Sequence, residues 1–176
     1  TEAAMDIVDK ISQATGAKLF CDTFVTRLPR GEGRCEVERL GYFAEQATEQ
    51  IDGVEQLIMV GTKAPIAFFA YPGKASEFYA PGSTLHTLAG VNDDAENALQ
   101  RLCDALDANG LSPRHVKLAK KGEGKGELNP YTIGQTFAEH MPTDAIVIDE
   151  GATSGGGCYA SSVTSEPHDW ITSVSY

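Results

Sequence analysis

The chain has 176 residues, 41% of them hydrophobic and 22% charged, the balance of a folded protein with a buried core and not of a disordered segment. Its formal net charge of -11, with 14 Lys and Arg in all, argues against nucleic acid or an anionic membrane as partner, because each phosphate contact needs a cation. No stretch approaches the roughly 20 apolar residues of a membrane span, and residues 1–10 lack the basic start and apolar run of a signal peptide, so a cytoplasmic location is expected.

In chain order, Ala4, Ile7, Val8 and Ile11 recur at helical spacing, with Thr1 as a candidate cap and Gly16 where a helix ends. Lys18 to Val25 (KLFCDTFV) reads as a strand running into the polar loop LPRGEGR. Leu40, Phe43, Ala44, Ala47 and Ile51 mark one helix face, closed by Gly53. Leu57 to Val60 is an unbroken apolar run ending at Gly61, as expected of a strand buried on both faces. An aromatic loop with Phe68, Phe69 and Tyr71 follows, read as core or inter-domain packing, and then a strand from Thr84 to Leu88. Asp93 or Asp94 caps a helix with Ala95, Ala98, Leu99, Leu102 and Leu106 on its face. Strands alternating with helices predict an α/β fold, a doubly wound parallel sheet of Rossmann-like type.

Residues 119–128, AKKGEGKGEL, carry no periodicity and read as a solvated linker between domains. The predicted domains are therefore 1–118, linker 119–128, and 129–176. The second unit opens on Asn129-Pro130, a cap with proline at the first helical position, and Ile133, Phe137 and Met141 line that helix. Ala145 to Ile148 form a strand, and a further strand signal surrounds Trp170-Ile171-Thr172. So short a unit falls below the ~100 residues that close a domain of this class, so it is expected to be cut short.

Dinucleotide, P-loop and GxSxG motifs are missing; Ala152 stands where the last of these needs glycine. The four cysteines form no CxxC and have no His at ligand spacing, so reduced thiols and no metal site are expected. His86, His115, His140 and His168 share no carboxylate spacing and read as surface or core histidines, and no catalytic residue is assigned. The segment most loaded with chemistry is the turn after the Ala145 strand, Asp149 to Gly157. Its backbone N–H groups and hydroxyls suit phosphate oxygens, and the same composition equally suits a flexible loop. A second candidate is Gly61 to Pro65, where Lys63 either pairs with a phosphate or is a solvated loop lysine.

The succession VEQLIMVGTKAPIAFFAYPGK, TLHTLAG, the linker, and LNPYTIGQTFAEHMPTDAIVIDEGATS resembles the acetolactate synthase and benzoylformate decarboxylase group of thiamine diphosphate enzymes. The resemblance covers essentially the whole chain and implies most of a central domain, its first strand missing, plus the start of a cofactor-binding domain. It implies that the domain bearing the cofactor-activating glutamate lies before Thr1, and that the GDG…N motif for Mg²⁺ and diphosphate lies beyond Tyr176. Carried over, Gly151, Ala152, Thr153 and Ser154 match the diphosphate-side turn, with Glu150 beside them and with Ala152 where some relatives have threonine. The intact enzyme is then expected to take a 2-oxo acid, to decarboxylate it or join it to a second one, and to form dimers or tetramers, while this piece alone is inert. FAD is left open, since the synthases carry it in the central domain and the decarboxylases do not. Two alternatives remain, a stand-alone nucleotide-binding module and a subunit-contact α/β domain without catalysis.

Overall fold

A computed structural model describes residues 1–70, 72–74, 76–151 and 154–172. Expectations for Tyr71, Ala152 and Thr153 lie outside the described residues. The fold is mixed α/β with parallel strand pairings, the class read from the sequence. The described strands lie in three small sheets, and the chain divides into two compact units, residues 10–23 with 37–111 and residues 1–9 with 24–36 and 112–176. Helix α1, Glu2–Thr15, opens the chain: Thr1 Oγ1 accepts from Ala4 N at 3.1 Å, and Gly16 closes it at φ 75°. Among the described residues no helix is long and apolar enough to cross a membrane.

In the unit around residues 37–111, β1 (Phe20–Cys21) pairs in parallel with β3 (Glu38–Arg39). Helix α2, Ala44–Gln50, follows and leaves by Gly53 at φ 72°. Gln50 fastens it to β3: its Oε1 accepts from Gly41 N at 2.7 Å and its Nε2 donates to Arg39 O at 3.0 Å. Leu40, Ala44, Ala47 and Ile51 bury against Phe78, so the apolar spacing of this segment does build a core. Phe43 departs from it at 54% exposed, because it sits extended at the cap beside Tyr42.

Strand β4 (Gln56–Val60) pairs in parallel with β5 (Thr84–Ala89), and α3, Ala95–Ala105, packs on β5. Of the two candidate caps Asp94 acts, accepting from Asn97 N at 3.0 Å, while Asp93 closes the turn before the helix by accepting from Gly90 N at 2.7 Å. Burial of β4 on both faces is not found. Ile58 is 55% exposed and Leu85 38%, because a two-stranded ribbon covered mainly by one helix leaves apolar side chains open.

In the other unit, β2 (Leu28–Arg30) pairs antiparallel with β7 (His168–Thr172), which pairs in parallel with β6 (Ala145–Asp149). The reading of LPRGEGR as a polar loop is thus corrected at its start, where Leu28, Pro29 and Arg30 form a buried strand. Proline is tolerated because β2 lies at the sheet edge. Arg30 is kept dry by aromatic faces: its guanidinium carbon lies 3.4 Å over the Tyr159 ring centroid and 5.6 Å from that of Trp170.

Helix α4, Pro130–Glu139, begins as read, with Asn129 and Thr132 in a reciprocal capping box. The inward face of α4 differs from the apolar pattern, since Ile133 is 46% exposed and Gly134 is the buried residue. Gly134 lies against α5 (Gly155–Ser161), where a Cβ would fall 2.2 Å from Gly157 O. The stretch 119–128 has neither helix nor strand and is tied along α4 by Gly122 N to Glu139 Oε2 at 2.9 Å and Gly124 N to Thr136 Oγ1 at 3.1 Å.

His168 is 3% exposed on β7; its Nδ1–H donates to Glu166 O at 2.8 Å while Nε2 lies buried with no hydrogen-bond partner among the described residues. Burial, helped by Arg30, holds its pKa below the ordinary 6.5. The unfolded chain therefore binds a proton that the fold refuses, so the stability from neutral His168 is whole above the unfolded pKa and falls as pH drops through it. Between about pH 8 and about pH 5.5, the urea midpoint of the native protein should fall further than that of His168→Asn; equal falls would contradict this.

Candidate functional site

The turn after β6 is organised by Asp149, the last residue of that strand. Its Oδ1 accepts from Gly151 N at 2.9 Å and its Oδ2 from Trp170 Nε1 at 3.3 Å. Gly155 N then donates to Gly151 O at 2.7 Å and starts α5. A Cβ on Gly155 would lie 2.3 Å from Asp149 Oδ1, so a side chain there would push this carboxylate off its hydrogen bond to Gly151 N. Glycines 155–157, read as part of a loose turn, are helical.

Of the sequence-predicted site residues, Glu150 and Ser154 are exposed and Gly151 is half-buried, while Ala152 and Thr153 lie outside the described residues. The Ser154 side chain makes no capping hydrogen bond to α5. Taken alone, the described part of this turn does not fit a diphosphate. The amides of Gly151 and Gly155 already have acceptors, and the turn's own charged residues, Asp149 and Glu150, are both negative. A cation between carboxylates and phosphate, or donors from elsewhere, would be needed to reconcile them. Asp149 itself was missed as the centre of the turn, although an acidic residue two before a glycine after a strand is a recognisable Asx-turn signal.

The second candidate, Gly61 to Pro65, lies in the other unit. Gly61 has φ 66°, and Thr62 Oγ1 donates to the Asp22 carboxylate at 2.8 Å, joining the carboxyl ends of β4 and β1. Lys63 is exposed. Nearby, Tyr42 stacks on Phe68 with centroids 6.0 Å apart and meets Phe69 edge-on at 5.9 Å. Phe68 and Phe69 remain 42% and 47% exposed, so this cluster is only partly core.

The four cysteines are free thiols. Burial, then the charge of Asp149, pushes the Cys158 thiol up. Cys35 is pushed up to about 12, first by burial and then by its hydrogen bond to Asp6. Cys35 also lies beside His115 and Asp6, a constellation that sequence spacing did not reveal because Asp6 and His115 are 109 residues apart.

No family model matches the chain, and no solved structure matches it either. Among curated proteins it is similar to the Mycobacterium tuberculosis protein named "Putative acetolactate synthase large subunit IlvX", at 38% identity over 164 residues. That alignment takes in 93% of this chain and 31% of the relative, so the chain spans about a third of the length of the curated protein it matches.

Proposed function

We propose that this chain is a piece of an acetolactate synthase-like, thiamine diphosphate-dependent enzyme acting on 2-oxo acids. The observation that carries the reading is the 38% identity sustained across 93% of the chain to a protein bearing that synthase name. Open apolar strand residues support it. Ile146 and Ile148 on β6 are 67% and 66% exposed, and in a longer protein such residues acquire a covering layer.

In this reading residues 1–118 are central domain, 119–128 the linker, and 129–176 the start of the cofactor-binding domain. Glu150, Gly151, Ala152, Thr153 and Ser154 would contribute one wall of the cofactor site, with Mg²⁺ and the diphosphate held by the GDG…N stretch that the resemblance puts beyond Tyr176. The cofactor, when bound, supplies an electron sink for the carbanion left by decarboxylation. This chain's own residues hold the turn: Asp149 fixes Gly151 and is itself held by Trp170. The intact enzyme is read as a cytoplasmic homo-oligomer.

The test is to express the longer protein that contains this chain and measure CO₂ release from 2-oxo acids with thiamine diphosphate and Mg²⁺. Turnover that requires both, with none from the 176-residue chain alone, is expected, and the flavin absorbance of the same protein answers whether FAD is carried. A folded longer protein that turns over no 2-oxo acid would overturn the reading in favour of a nucleotide-binding or subunit-contact module without catalysis.

A further inference from the structure

Three segments far apart in sequence meet in the unit that contains β2 and β7. From α1 comes Asp6, from the loop after β2 comes Cys35, and from the segment before the linker comes His115. Asp6 Oδ1 is 2.9 Å from His115 Nε2 and 3.3 Å from Cys35 Sγ, and the three donor atoms lie within 4.8 Å of one another. Bond lengths of about 2.0–2.3 Å to N, O and S put the edges of a tetrahedral site at roughly 3.3–3.6 Å. The two edges at Asp6, 2.9 and 3.3 Å, come within a few tenths of an ångström of that size, and the third is no longer than 4.8 Å.

The backbone beneath it is fixed without an ion. Cys35 and His115 face each other across an antiparallel bridge, flanked by Gly33 N to Val116 O at 3.0 Å and Val116 N to Arg34 O at 2.9 Å. Beside it, buried Asp9 accepts from Arg114 N at 2.8 Å and from its Nη2 at 2.7 Å, holding the residue next to His115. Cys35 is 3% exposed, whereas the His115 and Asp6 side chains are 43% and 40% exposed. One side of the triangle is therefore open to an ion and to water as a further ligand. A carboxylate and an imidazole alone would make an ordinary ion pair; the thiol converging on the same oxygen is what such a pair does not require.

We propose that Asp6, Cys35 and His115 form a binding site for a borderline-soft divalent metal ion of the Zn²⁺ type. The mixed S, N, O donor set selects that class over Mg²⁺ or Ca²⁺, which take oxygen ligands. On binding, the Sγ–H bond gives way to an Sγ–metal bond and the proton passes to solvent. The ion closes a loop between α1 and the 112–116 segment, so its role is to clamp this unit. The inference is independent of the thiamine diphosphate reading.

The probe is Co²⁺, titrated into the reduced, EDTA-stripped protein. One equivalent should bind with a thiolate-to-cobalt charge-transfer band, and added Zn²⁺ should abolish the band. Cys35→Ser should remove the band while Cys158→Ser keeps it. His115→Gln and Asp6→Asn, at exposed side chains, should keep the fold and weaken Co²⁺ by at least the roughly 10–100-fold that loss of an outer-shell partner costs. They decide the matter if Cys35→Ser fails to fold. Folded protein with no charge-transfer band, a band that survives Cys35→Ser, or affinity unchanged in both His115→Gln and Asp6→Asn would overturn the proposal.

Discussion

Gly157→Ala is expected to destabilise the protein by about 3 kcal/mol, while Gly156→Ala, one residue earlier on the same helix, stabilises it by roughly 0.5–1 kcal/mol. Helices α4 and α5 touch backbone to backbone. A Cβ on Gly157 would lie 2.0 Å from Pro130 O and 2.5 Å from Pro130 C, and one on Gly134 would meet Gly157 O at 2.2 Å. Neither obstacle is a flexible side-chain end, so the helices must part, and with them the packing of Phe137 and Tyr159 on Trp170. At Gly156 nothing lies within 4 Å, so alanine there only removes freedom from the unfolded chain. Urea midpoints of the two variants should move in opposite directions. Shifts of the same sign would show that α4 and α5 do not pack this closely.

Trp170→Ala is the second large effect, at about 3–5 kcal/mol. Trp170 is 1% exposed on β7, where Phe137 and Tyr159 meet it edge-on at 6.4 and 5.0 Å. The pairing of β7 with both β2 and β6 places it in the middle of its sheet. Its removal leaves a cavity among rigid rings, uncovers Arg30, and frees the Asp149 oxygen that its Nε1 holds. Trp170→Phe keeps a ring and loses the indole N–H, so it should cost less. Midpoints are read by circular dichroism, because the chain has one tryptophan and the variants lose its emission. A loss under about 1 kcal/mol for Trp170→Ala would contradict the burial described here.

Local signals carried the reading where side chain and backbone cooperate within a few residues. The Asn129-Pro130 cap, Asp94 as the α3 cap and the Gly16 and Gly53 stops are all local chemistry, and all stand as read. The strand in LPRGEGR was hidden because its burial depends on residues 168–170, which no short window contains. Gly134 was hidden for a related reason: a helix packed through glycine shows no apolar stripe at the contact, so the pattern pointed to Ile133 instead. At the candidate turn the glycines were read as amides suited to phosphate or, equally, as a flexible loop. Neither reading contained the close approach found there, in which Asp149 Oδ1 fills the space that a side chain on Gly155 would take. Cys35, His115 and Asp6 could not be joined by spacing at all, because only folding brings them together.

The most direct test of the functional account is equilibrium binding of thiamine diphosphate to the longer protein containing this chain, followed with and without Mg²⁺. Saturable binding that requires Mg²⁺ is expected, because the proposed wall, turn residues 149–157, carries the two carboxylates Asp149 and Glu150 and no positive charge. Binding of equal strength without the metal would contradict the role given to those carboxylates, and no binding by folded protein would contradict the central claim.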